Sequence, residues 1–496
     1  MTKKIRQGLT IVVMGLLSAQ APGAWAYTVD VGFAALQNQL GGATPTGAGV
    51  RVTQVEAPTN ETPPLIYMPN PADVQFIGKT ITPYDGNPSG GFSTHATSVG
   101  GLFYGNTASM APGIAQIDAF DANGWLNSLY NSTPGPGFGS ATTSASRIAN
   151  HSWVGGGQQP GDDGTALRLV DRQVHLKEYI QVVAPANGPT LSPLLSSAYN
   201  VIAVGRTDGI HDIGTDALAG DAVYGGGRVK PDLVAPMNST SGAAPLVSAA
   251  AALLVQTGHE GGLTLSQGST TISGIGTIYS AERSETIKAA LMAGADRETA
   301  NTSTAANITD YRSAGHQTVN GLDSRYGAGQ LNVFNSYRIL AGGEQEHLIG
   351  SAGFDYNGAF GGLNGSSRSV SYAFTAQAEL TLFATLAWNL GVSDNANLTT
   401  TLYNLDLSLL DVHNQTVVAS SASLLENTEN LWVKLLQGTA YELRVTTPES
   451  ADFLWDYSLA WRMDPSPSPV PIPGTVWLMA AGLGQLARVA LRRAVR

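Results

Sequence analysis

The chain has 496 residues, enough to bury a large core and to hold two or three domains. Only 13% of the residues are charged and the net charge is −11, which argues against a nucleic-acid partner, since that would need a basic face. Cysteine is absent, which excludes disulfides, thiol catalysis and thiolate metal sites.

Lys3, Lys4 and Arg6 precede an apolar run from Leu9 to Leu17, and Ala24-Trp-Ala26 puts small residues where a signal peptidase reads. Residues 1–26 read as a secretory signal peptide; the run is too short to span a bilayer comfortably. Residues 27–340 read as an α/β domain. Its β-branched runs are Val50-Arg-Val-Thr-Gln-Val55, Ile114-Ala-Gln-Ile-Asp-Ala119, Tyr179-Ile-Gln-Val-Val-Ala184 and Asn200-Val-Ile-Ala-Val204. Helical patterns cover 164–178 and 242–257. This alternation predicts a mostly parallel sheet flanked by helices, with the site outside the carboxyl ends of the strands. Glu56 closes one of the runs, and Asn187 lies just beyond another.

Residues 341–365 read as a glycine-rich connector. From 366 to 462 the polarity alternates, as in Ser369-Val-Ser-Tyr-Ala-Phe374, Leu380 to Trp388, Leu405 to Asp411, Tyr441 to Thr446 and Tyr457 to Trp461. This predicts an antiparallel β-sandwich. Residues 463–474 form a stiff Pro-rich linker. Residues 475–496 read as a short apolar helix with a basic tail of Arg488, Arg492, Arg493 and Arg496. The order of proline motif, apolar helix and basic tail resembles the PEP-CTERM sorting signal of Gram-negative bacteria, with Val470-Pro-Ile-Pro473 similar to its Val-Pro-Leu-Pro variant. That resemblance implies partners in an exosortase-type export machinery and transient inner-membrane contact through the tail. The expected location is the periplasm, the cell surface or the extracellular matrix. A membrane or packing helix is the plainer alternative.

The most informative stretch is Val229 to Val247. Within it, Ser239-Thr-Ser-Gly-Ala-Ala-Pro-Leu-Val247 sets Ser241 at the mouth of an Ala-rich helix, with Pro245 expected in the first turn. Free N–H groups and the positive end of the helix dipole favour developing negative charge there. Alone, the pattern also reads as an ordinary helix capped by Thr240 or Ser241. A serine nucleophile needs a base, and the base needs an orienting acid.

The chain offers such groups in the order acid, histidine, serine. Gly47-Ala-Gly-Val-Arg-Val-Thr-Gln-Val-Glu56 ends in a carboxylate, and Ser93-Thr-His95-Ala-Thr-Ser-Val-Gly carries a histidine. Asn150-His-Ser-Trp-Val-Gly-Gly156, Val182-Val-Ala-Pro-Ala-Asn187-Gly, Tyr199-Asn-Val-Ile-Ala-Val-Gly205 and Tyr326-Gly-Ala-Gly-Gln-Leu-Asn332 follow. In this order the segments resemble those of the subtilase (subtilisin-like) serine peptidases. The resemblance implies a subtilisin-like sheet with the C-terminal β-sandwich appended, and a polypeptide substrate. It implies a triad of Glu56, His95 and Ser241, and an oxyanion hole from the Asn187 side chain and the Ser241 N–H. It also implies a substrate-pairing strand at Ser152, Trp153 and Val154, with Trp153 flanking the cleft.

Glu56 stands where the family has aspartate, Ala96 replaces a glycine, and Pro185 and Ala186 depart from the segment before the asparagine. No cofactor enters the implied chemistry. Family members often bind structural calcium, but no dense Asp/Asn loop assigns ligands. The residues between Ala26 and the first strand leave no room for the prodomain of many subtilases. Two readings stand: a secreted serine endopeptidase, and an inactive subtilase-fold surface protein that binds peptides or adheres. An esterase is disfavoured, because no G-x-S-x-G elbow surrounds Ser241.

Overall fold

The computed structural model describes residues 26–465 except 61, 85–90, 131–144, 158–160, 190–193, 216–217, 219–220, 363–366 and 396. The expected signal peptide except Ala26, residues 466–474 of the expected Pro-rich linker and the expected sorting signal therefore lie outside the described residues, while 463–465 continue the last described strand.

Seven short strands build the first layer: β1 (Val52–Glu56), β2 (Thr80–Pro83), β3 (Gln116–Asp121), β4 (Ile148–His151), β5 (Ile180–Val183), β6 (Ile202–Arg206) and β7 (Leu233–Ala235). They form one parallel sheet in the order β2-β3-β1-β4-β5-β6-β7. The helices are α1 (Ala26–Asp30), α2 (Phe33–Leu40), α3 (Thr94–Tyr104), α4 (Ala122–Tyr130), α5 (Asp162–Lys177), α6 (Thr240–Gly261), α7 (Ser284–Gly294) and α8 (Val333–Ala341). Successive side chains of a strand point to opposite faces. Val52, Ile148, Val182 and Val204 thus join a core with α3, α6, α7 and α8, while Val55 and Val183 join another with α4 and α5. Because both faces are covered, the strands read as nearly continuous apolar runs. Glu56 ends β1, Ser152 follows β4 and Asn187 lies beyond β5, so all three emerge at the carboxyl edge of the sheet.

The small side chains of α6, among them Ala243, Ala244, Ala249 and Ala250, let this helix lie close against β4 to β7. The segment after Tyr326 locks β7 from outside: Ala328 N–H donates to Asp232 O, Val234 N–H to Gly329 O, and Leu331 N–H to Val234 O. Gly327 (φ +54°) is required here, since a Cβ would lie 2.4 Å from the Asp232 carbonyl oxygen. A hairpin of β8 (Ser269–Ile272) and β9 (Gly276–Tyr279) follows α6.

The C-terminal part begins earlier than expected. Ala352–Gly362, inside the presumed connector, is strand β10. The remaining strands are β11 (Ser369–Thr375), β12 (Leu380–Ala387), β13 (Gly391–Val392), β14 (Thr400–Thr401), β15 (Asp406–Asp411), β16 (Thr416–Ser421), β17 (Thr428–Leu435), β18 (Ala440–Thr446) and β19 (Phe453–Pro465). Two four-stranded antiparallel sheets, β10-β19-β12-β17 and β11-β18-β15-β16, pack as a sandwich. The glycines of β10 masked its pattern. Phe354 and Phe360 are both buried, and a register shift between Asn357 and Phe360 accommodates the extra residues.

The sandwich is continuous with the α/β core. Phe354, Ala387 and Ala460 belong to the same apolar cluster as α6 and α7. Arg462, 2% exposed, donates to the carbonyls of Ala293 and Ala295 at 2.9 and 3.0 Å. Asn200 and Leu390 exchange two hydrogen bonds, and Glu426 accepts from Val229 N–H at 2.6 Å. That last bond reaches the segment leading to Ser241.

Candidate active site

The cap of α6 is Ser239, whose Oγ accepts from Gly242 N–H at 3.1 Å. The helix therefore starts two residues before the expected 242. Ser241 becomes its second residue, and Pro245 falls beyond the first turn. The first N–H groups of a helix lack intrahelical partners. Here Thr240 N–H donates to Asn187 Oδ1 at 2.9 Å and Gly242 N–H to Ser239. Between them, Ser241 N–H has no partner among the described residues. Asn187 is exposed, and because its oxygen is held by Thr240, its amide N–H groups face outward beside the same helix end with no partner among the described residues.

Pro245 has no N–H to return to the carbonyl of Ser241, its partner four residues back. Ser152 Oγ donates to that carbonyl instead, at 3.1 Å. Ser152 is in turn fixed by Asn150 Nδ2 at 2.9 Å, and Asn150 Oδ1 accepts from Ser248 Oγ of α6 at 3.0 Å. The loop after β4 is thus fastened to the start of α6.

His95 is the second residue of α3, which is capped by Ser93 Oγ accepting from Ala96 N–H at 3.1 Å. Helices α3 and α6 pack against each other. His95 Nδ1 donates to Glu56 Oε2 at 2.8 Å, with Glu56 1% exposed. Burial opposes the imidazolium, but the charge of Glu56 and its hydrogen bond outweigh that, so His95 titrates above the ordinary histidine value. The bond to Nδ1 leaves Nε2 as the nitrogen able to take a proton.

The Ser241 hydroxyl is turned to the Ser152 carbonyl, at 3.4 Å, and makes no hydrogen bond to His95. Glu56 and His95 are therefore joined directly, Ser241 is joined to Ser152, and Asn187 is joined to the same helix end through Thr240; α3 and α6, which carry His95 and Ser241, pack on each other.

Trp153 does not flank an open cleft. It is 5% exposed, and its indole N–H donates to His151 Nδ1 at 3.3 Å inside the core. His151, for which the sequence offered no role, is fully buried. Its Nε2–H donates to Gln181 Oε1 at 2.6 Å, and desolvation lowers its pKa to about 4, so it stays neutral. The indole points inward to His151, whose ring packs edge-on against Trp125 at 4.5 Å between centroids. Ser152 is also buried, so Val154 is the half-exposed side chain of the three.

Sequence reasoning passed over two groups behind the acid, one touching it and the other touching the first. Gln54 Nε2 donates to Glu56 Oε1 and to Ala96 O, both at 2.8 Å, and Tyr104 OH donates to Gln54 Oε1. The available signal was a glutamine two residues before Glu56, hence on the same face of a strand buried on both sides.

The parallel sheet, its covering helices and a serine at a helix N-terminus define a subtilisin-like α/β protein. Residues 66–329, more than half of the chain, match the model of the subtilase family, and the chain belongs to that family. The matched segment contains His95, Asn187 and Ser241, and Glu56 precedes it. Among solved structures the chain is similar to the patellamide maturation protease PatA, at 18% identity over 60% of this chain and 98% of that one, TM-score 0.37. It is similar to a protease from Pseudoalteromonas arctica, at 14% identity over 64% and 97%, TM-score 0.35. It is also similar to the pre-peptidase C-terminal domain of a Bacillus anthracis collagenase, at 15% identity over 24% and 96%, TM-score 0.18. A search of curated proteins finds no match.

Proposed function

We propose that this chain is a secreted serine endopeptidase that cleaves polypeptides through an acyl-enzyme on Ser241. The observation that carries the reading is the Ser241 N–H, unpartnered among the described residues, beside the NH2 of Asn187, at the N-terminus of a helix packed on the one that bears His95. His95 Nε2 takes the hydroxyl proton as Ser241 Oγ attacks the peptide carbonyl, and returns it to the leaving amine. Glu56 fixes the imidazole tautomer and offsets its charge when protonated. The Ser241 N–H and Asn187 Nδ2 receive the oxyanion. Water then hydrolyses the ester. These steps draw on side chains and water, with no cofactor. The chain pairs its substrate through the backbone of 152–154. The N-terminal leader and the PEP-CTERM-like tail direct export through an exosortase-type system.

A second reading, a peptide-binding surface module without catalysis, is favoured by the Ser241 hydroxyl pointing to Ser152 rather than to His95. Hydrogen bonds of catalytic groups often tighten only when substrate binds. Labelling with a fluorophosphonate decides between the two. The enzyme labels, and Ser241→Ala abolishes the labelling. A folded protein that gives no Ser241-dependent adduct is the binding module.

A further inference from the structure

Glutamate at the end of β1 creates a problem that aspartate would not. It adds a rotatable bond between backbone and carboxylate, so the group must be held by something besides the histidine it serves. Glu56 Oε2 accepts from His95 at 2.8 Å, and Oε1 accepts from Gln54 Nε2 at 2.8 Å. Gln54 and Glu56 lie two apart on β1, and so share a face.

The orientation of the Gln54 amide follows from its partners. A carboxylate oxygen and the Ala96 carbonyl can only accept, so the group facing both is the NH2. Gln54 Oε1 therefore faces Tyr104, whose hydroxyl donates to it. Gln54 is 1% exposed and Tyr104 is fully buried, so no solvent competes for these bonds. Burial, then the charge of Glu56, raises the Tyr104 phenol well above its ordinary value, so its proton stays in place.

Helix α3 supplies His95, the Ala96 carbonyl and Tyr104, and thus carries both ends of the chain of bonds. Gly100, one turn before Tyr104, makes the approach feasible. A Cβ there would lie 2.6 Å from Tyr104 OH and 3.0 Å from Gln54 Oε1.

We propose that Gln54 and Tyr104 are positioning residues for catalysis: a buried relay, Tyr104 to Gln54 to Glu56 to His95, holds the glutamate carboxylate in the one orientation that serves the imidazole. The inference rests on the reading of Glu56 as the orienting acid. Through the relay, the extra length of glutamate is absorbed by a side-chain tether.

The test uses the full chain and a fluorophosphonate, with the labelling rate at saturation separated from the half-saturating concentration. Gln54→Leu and Tyr104→Phe are compared with the parent after melting curves establish that each is folded. The saturating rate of Gln54→Leu falls about 10- to 100-fold, the fold-change of one lost hydrogen bond to a charged group, at an unchanged half-saturating concentration. Its acid limb moves to lower pH as Glu56 loosens from His95, and the far-downfield proton resonance of His95 Nδ1–H shifts or broadens. Tyr104→Phe moves the same readouts in the same direction by less, and stands in if Gln54→Leu does not fold. Parental rate, pH profile and resonance in the folded variants overturn the relay. A parent with no Ser241-dependent labelling defeats the peptidase reading instead. The Nδ1–H resonance then decides the relay by itself: displaced in the variants it stands, unmoved it falls.

Discussion

Ser152 donates its hydroxyl to the carbonyl of Ser241 at 3.1 Å, a carbonyl left open because Pro245 has no N–H to offer it. The bond joins the loop after β4 to the first turn of α6. The residue that interrupts the helix thereby recruits the strand expected to meet substrate.

Ser152→Ala strands that carbonyl and the Asn150 amide, and is expected to cost about 1–3 kcal/mol in denaturant unfolding. Pro245→Ala restores an N–H four residues on. In the Ser152→Ala background it is expected to recover stability, whereas in the parent it competes with Ser152 and gains less. An equal effect in both backgrounds contradicts the shared carbonyl.

Asn187→Asp keeps an oxygen for Thr240 N–H but sets a negative oxygen where the proposed mechanism places the oxyanion. The melting temperature should stay near that of the parent while kcat falls by at least about 10²–10³-fold, the range for loss of one such donor in a subtilisin. A variant with parental kcat removes Asn187 from the oxyanion hole.

The acid limb of kcat/KM reports the free enzyme's His95. Glu56 raises that pKa, so the limb of the parent lies above the ordinary histidine value of 6.5. Activity falls as pH drops through it, because the protonated base cannot accept the serine proton. Glu56→Gln removes the charge, moves the limb to lower pH and lowers kcat at the plateau. A limb that stays put in this variant shows that Glu56 does not serve His95.

Glu429 of β17 is fully buried, and desolvation raises its pKa to about 8, moderated by hydrogen bonds from Ser421 Oγ and Ser423 N–H. Its folded value exceeds its unfolded one. Its contribution to stability is therefore complete below the ordinary 4.5 and is lost as pH rises through about 8. The loss proceeds at no more than about 1.4 kcal/mol per pH unit. Glu429→Gln should flatten the pH dependence of unfolding across that window. An unchanged slope assigns it to other groups.

Much of the site was legible because its chemistry is written locally. Ser241 lies at the start of an Ala-rich helical run, although the cap proved to be Ser239 and not Thr240 or Ser241, and Asn187 follows a buried apolar run. Less legible were features that depend on side-chain direction. Trp153 reads as a cleft residue until His151 is seen to draw its indole inward. Strand β10 was hidden by glycines, and β17 by the buried polar pair Glu429 and Asn430: Glu429 is satisfied by Ser421 and Ser423 across a turn, and Asn430 by the carbonyl of Asn320, far away in the chain.

The sequence by itself determined the family, the parallel sheet and the chain order of Glu56, His95 and Ser241, because motif order and strand periodicity are properties of neighbours along the chain. Tertiary structure alone decided how Glu56 is held, where the Ser241 carbonyl goes and how the sandwich joins the core. Hydrogen bonds are directional and short, and whether Tyr104 reaches Gln54 depends on how α3 lies against β1, which no local pattern encodes.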